Sequence, residues 1–351
     1  MQPRVMAFLP SSPVPTSSII NSPPAAIVEV PQPPPVELKS RTRGVRPSVL
    51  GSLIETTKPG ITRHVVITAI VGFVVAVVEY SRPANEWLVL LGAVIVGTAL
   101  SAGGANALNQ YIERFRDAKM ERTMGRPLPS GRVHPRSGLV LGSMCSALGV
   151  MCLLAFCGPA AALVSLACVL SYILIYTPMK THTPWATHVG GIPGALPPLI
   201  GWAAAKHELG LSTLMEPGGW VFVAIMFAWQ LPHFLAIGWM YREDYARGGY
   251  KTLSVSDPDG KATARSSLIW TVWLLIFSVL PFWLLTPHVS WPYLAMAIVS
   301  GLLYAALVVK FARVPSREAA RKVFFASIVH MPLLFAWIVG ETLIRLYMKE
   351  A

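Results

Sequence analysis

Asn109-Gln110-Tyr111-Ile112-Glu113-Arg114-Phe115-Arg116-Asp117, with Lys119, Arg122 and Arg126 close behind, ends a long apolar segment and decides how the rest of the chain is read. Asn109, Glu113 and Asp117 are spaced i, i+4, i+8. Four residues of helix turn about 400°, so these three oxygen-bearing side chains share one helix face. Carboxylates can hold a hard cation, and guanidinium groups can grip phosphate oxygens. The pattern points to a site for Mg²⁺ and a diphosphate at one end of a membrane-spanning helix. A solvated helix end laced with i,i+4 charge pairs is the competing reading. Asn106 and Asn109 weigh against it, because polar groups at the end of an apolar segment are costly and usually have a purpose.

Working outward, the segment before Asn109 is one of many like it. Of the 351 residues, 54% are hydrophobic and 13% charged; a soluble domain carries about 25% charged residues. This is the composition of a membrane protein, and the expected fold class is all-α. Nine stretches approach the ~20 apolar residues that cross a bilayer. They lie near 62–80, 88–109, 138–157, 160–177, 188–205, 220–240, 267–286, 292–309 and 323–344. The fifth is interrupted by Gly190, Gly191, Pro193, Gly194, Pro197 and Pro198. Breaks of that density are tolerated in a membrane only where neighbours or a cavity satisfy the freed backbone groups.

The net charge of +12 reads as basic loops on the anionic, cytoplasmic side of a bilayer, not as a nucleic-acid surface. With the N-terminus inside, 25 of the 29 Lys and Arg residues fall on inner segments. Arg82, Lys206, Arg345 and Lys349 are the four outside. An odd number of passes then puts the C-terminus outside. Residues 1–50 are rich in Pro and Ser, with too few large apolar residues to form a core, and read as a disordered cytoplasmic tail. Cys145, Cys152, Cys157 and Cys168 show no metal-binding spacing and read as packing residues.

Two further constellations fall on the same, inner side. In the sixth stretch Gln230 and His233 are three residues apart and share a helix face. Tyr241-Arg242-Glu243-Asp244-Tyr245 follows, where Asp244 can join the first cluster in holding metal or diphosphate. Tyr176-Thr177-Pro178-Met179-Lys180 ends the fourth stretch. There Tyr176 and Lys180 share a face if the helix runs past Pro178. Lys180 reads either as a snorkelling anchor or as a diphosphate contact. His330 and Glu341 in the last stretch read as packing or hydrogen-bonding residues.

Over about residues 55–345 the chain resembles the UbiA superfamily of intramembrane prenyltransferases, and within it the haem branch. The likeness is carried by Thr57-Lys58-Pro59, by Asn109 through Arg122-Thr123, and by Arg126-Pro127-Leu128-Pro129-Ser130-Gly131-Arg132. Further matches are Tyr176-Thr177 with Lys180, Pro197-Pro198-Leu199-Ile200-Gly201-Trp202, Gln230-Leu231-Pro232-His233-Phe234, and Asp244-Tyr245. The resemblance implies a bundle of about nine transmembrane helices around a central cavity, in a bacterial inner membrane. It implies farnesyl diphosphate as donor, a vinyl group of haem B as acceptor, and haem O as product. Asn109, Glu113, Asp117 and Asp244 become the catalytic, Mg²⁺-holding set. Arg122, Arg126, Tyr176, Lys180, Gln230, His233 and Tyr245 become substrate-binding. Membrane lipid surrounds the bundle, and a haem A synthase is a candidate partner.

Two departures stand out. The family motif resembles Asn-x3-Asp-x3-Asp, and here the middle acid is Glu113, one methylene longer. The inner loop reads Gly248-Gly249-Tyr250-Lys251 where the haem branch usually has Ala-Gly. A quinone precursor or another tetrapyrrole is the alternative acceptor. A transporter is the alternative of a different class. Against it, only one stretch is strongly broken, and the polar residues gather on one side of the membrane instead of crossing it.

Overall fold

The computed structural model describes residues 48–78, 84–285 and 289–350, and among them it holds helices and no strand. The Pro-rich tail lies outside the described residues, except that 48–50 open the first helix. The main helices are α1 (Val49–Thr56), α2 (Pro59–Val77), α3 (Ala84–Asp117), α4 (Pro135–Leu170), α5 (Ala186–Ala195), α6 (Pro197–Ala205), α7 (Pro217–Met240), α8 (Lys261–Val279), α9 (Trp291–Arg313) and α10 (Arg317–Glu350). Proline at the first turn starts α2, α4, α6 and α7. Its missing N–H is no loss there, and its fixed φ suits a helix.

Among the described residues seven helices are long and apolar enough to cross a membrane, so the chain is an integral membrane protein. The expected count of nine differs in two places. The third and fourth stretches lie on one long helical segment, but Gly158 inside it has φ 79 and ψ 177. That is not a helical conformation, and Pro159 starts the next helix directly after it. The fifth stretch is the pair α5 and α6, each too short to be counted alone, meeting at Leu196. Large apolar side chains such as Leu174, Leu303 and Val329 stand exposed on the long helices, as a lipid-facing surface requires.

Lipid gives helices no hydrophobic reason to associate, so small residues and close backbone approach hold them together. A Cβ on Gly201 of α6 would lie 1.8 Å from the Ala69 carbonyl oxygen of α2. A Cβ on Gly104 of α3 would lie 2.4 Å from the Ser146 nitrogen of α4. At both crossings backbone touches backbone. Gln230 of α7 reaches across to the broken span and donates to the Gly191 carbonyl at 2.6 Å. Glu341 is a hydrogen-bonding residue, as expected, accepting from the Ser290 backbone N–H at 2.7 Å. His330 stacks on Tyr304 with ring centroids 5.6 Å apart.

The length of α3 sets up the site. Its 34 residues span about 51 Å at 1.5 Å each, against a hydrocarbon core of about 30 Å. The last turns, with Asn109, Glu113 and Asp117, therefore stand at one rim of the bilayer.

Candidate active site

A cavity of about 460 Å³ opens between α2, α3, the end of α4, the broken span and α7. Lys58, Asn109, Glu113, Asp117, Arg122, Arg126, Tyr176, Lys180 and Tyr245 line one end. The wall continues inward through Val65, Ala102, Ala105, Val169 and Ile200 to Thr98. Thr98 is eleven residues before Asn109, so the slot runs about 16 Å along α3 beyond the polar end. A charged head and a greasy tail would both be accommodated.

The expected face of α3 forms, and every acid on it is held by a cation. Glu113 and Lys180 are 2.7 Å apart, with side chains 6% and 14% exposed. Asp117 and Arg126 are also 2.7 Å apart, the acid 1% exposed. Burial disfavours the charge on Lys180, but the Glu113 carboxylate together with the Tyr176, Tyr172 and Tyr250 phenols outweighs that, and its pKa is held well above the usual lysine range. Lys180 reaches the site because the chain stays helical past Pro178. A π-helical turn over Ser171–Tyr176 runs into Thr177–Met179, and the ammonium rests 4.5 Å from the Tyr176 ring centroid. Burial, then the charge of Glu113, push the Tyr250 phenol well up, so it stays protonated beside that acid.

Lys58 belongs to this end of the cavity, although in the sequence it stands out only as part of the Thr57-Lys58-Pro59 likeness. Its Nζ donates to Asn109 Oδ1 at 2.7 Å, while Asn109 Nδ2 donates to Thr177 Oγ1 at 3.0 Å. Lys58 has φ 51, the one positive φ at a non-glycine among the described residues. A non-glycine held in that region costs of order 1–3 kcal/mol, and such residues cluster at functional sites. Burial, then the nearby Arg126 charge, lower its pKa to about 7. A lysine preceding the Pro59 that opens α2 is the only hint the sequence offers.

The loops at this end are tied over the cavity mouth. Arg116 donates to the Gly248 and Gly249 carbonyls, and the Lys251 N–H donates to the Lys180 carbonyl at 2.7 Å. Arg122 donates to the Tyr245 hydroxyl at 3.0 Å, with its guanidinium over the Tyr241 ring. Two expected residues sit elsewhere than on the cavity wall. Asp244 is engaged by Arg247, three residues on in the same short helix, and accepts from the Glu121 N–H at 3.3 Å. It holds the turn after α3 in place. Gln230 is taken up by Gly191 and braces the broken span. His233 does face the cavity.

Among the described residues no three His, Cys, Asp or Glu side chains converge as a preformed metal cage. Mg²⁺ does not require one, since it binds through one or two carboxylates and completes its shell with water and phosphate oxygens. Asn109, Glu113 and Asp117 are each at least 95% buried, face the cavity, and stand beside cations that phosphate can also engage. That donor set fits Mg²⁺ delivered with a diphosphate.

A bundle of membrane helices around a slot with a diphosphate-sized polar head has the architecture of an intramembrane prenyltransferase. The chain belongs to the UbiA prenyltransferase family, whose model matches residues 65–331. Among its relatives is the protoheme IX farnesyltransferase of Opitutus terrae, 40% identical over 292 residues that cover 83% of this chain and 94% of the relative. The protoheme IX farnesyltransferase of Solibacter usitatus is 39% identical, covering 80% of this chain and 95% of that one. The fold is shared with a digeranylgeranylglyceryl phosphate synthase, at TM-score 0.68 and 17% identity over 84% of this chain and 98% of that one. It is shared too with a UbiA homologue from Archaeoglobus fulgidus bound to GPP and Mg²⁺, at TM-score 0.57 and 14% identity over 83% of this chain and 99% of that one.

Proposed function

We propose that this protein transfers the farnesyl group of farnesyl diphosphate to a vinyl group of haem B, giving haem O. The observation that carries the reading is the cavity itself: acids and cations close one end, and a narrow apolar slot continues from it. The names of the relatives supply the particular donor and acceptor. The inner membrane of a bacterium, nine passes and a cytoplasmic N-terminus complete the proposal. The excess of Lys and Arg on the side carrying Arg122, Arg126 and Arg132 supports that orientation.

Mg²⁺ held by Asn109, Glu113 and Asp117 would neutralise charge on the leaving diphosphate as a Lewis acid. The protein's own cations do the rest of the holding. With diphosphate bound, Lys180 would turn from Glu113 to a phosphate oxygen and Arg126 from Asp117, leaving both acids free to hold the metal. Arg122 and Lys58 close the ring of donors. All four are gathered beforehand at the end of the cavity where charge would develop, which is where such groups contribute most. The bond between the allylic carbon and the diphosphate oxygen breaks, and the vinyl carbon of the acceptor supplies the new carbon–carbon bond. Water adds to the cation left on the haem side and loses a proton, giving the hydroxyethylfarnesyl group. The apolar wall keeps water from the allylic cation until the vinyl group has reacted. Asp244 acts by holding the Met120–Glu121 turn, and Gln230 by bracing the broken span.

The test is Asp117→Ala with farnesyl diphosphate, haem B and Mg²⁺, followed by pigment extraction. Haem O from the wild type and none from the variant supports the assignment. Haem O from both removes Asp117 from the chemistry. Another farnesylated pigment in place of haem O changes the acceptor.

A further inference from the structure

His233 lines the cavity on α7, eight residues before Tyr241. The helix ends one residue earlier, at Met240, so His233 lies about 10 Å below the end of its helix, close to the ~12 Å that Asn109 has below Asp117. Its Nδ1 lies 2.7 Å from Ser327 Oγ, and Ser327 Oγ lies 2.6 Å from the Phe324 carbonyl oxygen. Each of these contacts needs a proton. The carbonyl has none, and the hydroxyl has one. Two oxygens 2.6 Å apart without a proton between them would repel, so the hydroxyl proton goes to Phe324. The other proton must then sit on Nδ1, which donates to Ser327. In the neutral ring Nε2 is therefore a bare lone pair, and it has no protein partner among the described residues. The ring is held against turning. It stacks on Trp229 and on Phe324, each at 5.0 Å between centroids. Trp229 is itself fixed by its indole N–H, which donates to the Ser327 carbonyl at 2.8 Å.

The geometry points to His233 Nε2 as an axial ligand of the haem iron of the acceptor, with Ser327 as the positioning residue that keeps Nε2 unprotonated. Metal-bound histidines use this arrangement, one ring nitrogen on the metal and the other N–H donated to a fixed acceptor. Imidazole is a common ligand of haem iron. The bond is a coordinate one, lone pair to iron, with no change of oxidation state. Its consequence is orientation: a porphyrin pinned through its iron beside the polar end of the slot can present a vinyl edge to the allylic carbon. The inference rests on the reading that haem is the acceptor.

The experiment titrates the purified full-length protein with ferric haem, reading absorbance and electron paramagnetic resonance, and separately with metal-free protoporphyrin IX, reading fluorescence. The wild type should show a histidine-ligated haem spectrum. His233→Ala should lose it, bind haem about 10-fold to 100-fold more weakly, and regain the spectrum when free imidazole is added. Ser327→Ala should keep the ligand but weaken haem by about tenfold, as loss of a group supporting a metal ligand does. Metal-free protoporphyrin should bind His233→Ala as it binds the wild type, which also shows that the variant is folded. Unchanged haem spectra in His233→Ala, equal weakening of haem and metal-free porphyrin, or no ligated haem in the wild type each overturn the assignment. Haem O formation by the wild type is scored separately. If haem O forms while His233→Ala keeps the wild-type spectrum, farnesyl transfer stands and the ligation does not.

Discussion

Glu113→Gln separates the structural from the chemical role of the buried pair. The Glu113 and Lys180 side chains are 6% and 14% exposed and 2.7 Å apart. Breaking a buried pair by removing one partner costs about 3–5 kcal/mol, because the other charge is left buried and uncompensated. At roughly 2 °C per kcal/mol for a large chain, the variant should melt at least about 6 °C below the wild type in detergent. Lys180→Met leaves the acid alone and should cost somewhat less, since Glu113 also faces Lys58. The double variant removes both charges and should fall well short of the summed losses, by about 2 kcal/mol or more. The functional half of the reasoning predicts an inversion. With EDTA present, inorganic diphosphate should raise the melting temperature of Glu113→Gln more than that of the wild type, because Lys180 no longer has to leave a carboxylate to meet a phosphate. Thermal melts of the four proteins, with and without diphosphate, decide the matter. Additive losses in the double variant, or no extra rescue of Glu113→Gln, would refute the exchange of partners.

Three other outcomes are expected. Glu113→Asp should keep or raise prenyl transfer at saturating Mg²⁺, since the carboxylate stays on the same helix face and is only one methylene shorter; a loss of tenfold or more argues against the metal reading of Glu113. Lys58 has a native pKa of about 7 against 10.5 for a free lysine, so between those values the unfolded chain binds more protons than the native one. Metal-free protein should therefore gain stability from pH 7 to pH 9, by at most ~1.4 kcal/mol per pH unit, and Lys58→Met should flatten that rise in denaturation curves. Gly201→Val places carbon where the Ala69 carbonyl lies 1.8 Å away. Folded, monodisperse protein from that variant would show that α2 and α6 are not in backbone contact.

The helical framework was legible in the sequence because it depends on local signals. Runs of apolar residues mark the long helices, and prolines mark where α2, α4, α6 and α7 begin. The spacing of Asn109, Glu113 and Asp117 put three polar side chains on one face before any contact was known, since helical periodicity is a property of the segment alone. Tyr176 and Lys180 followed by the same rule once the helix ran through Pro178. The passes near Gly158 and Leu196 were harder to delimit, because one glycine conformation and one break at a proline decide them.

Partner choice was not legible in the sequence. That Asp244 accepts from the Glu121 N–H, that Gln230 goes to Gly191, and that Lys58 takes up a left-handed backbone and reaches Asn109 are all decided by which groups meet across segments far apart in the chain. Ser327 carries no sequence signal at all, yet the single proton of its hydroxyl sets which nitrogen of His233 is bare. The sequence by itself determined the membrane helices and the acidic face of α3, through composition and period. Only the tertiary structure decided which charges neutralise one another and which lone pairs stay free, because buried polar groups in a membrane must be satisfied by whatever neighbour the packing brings.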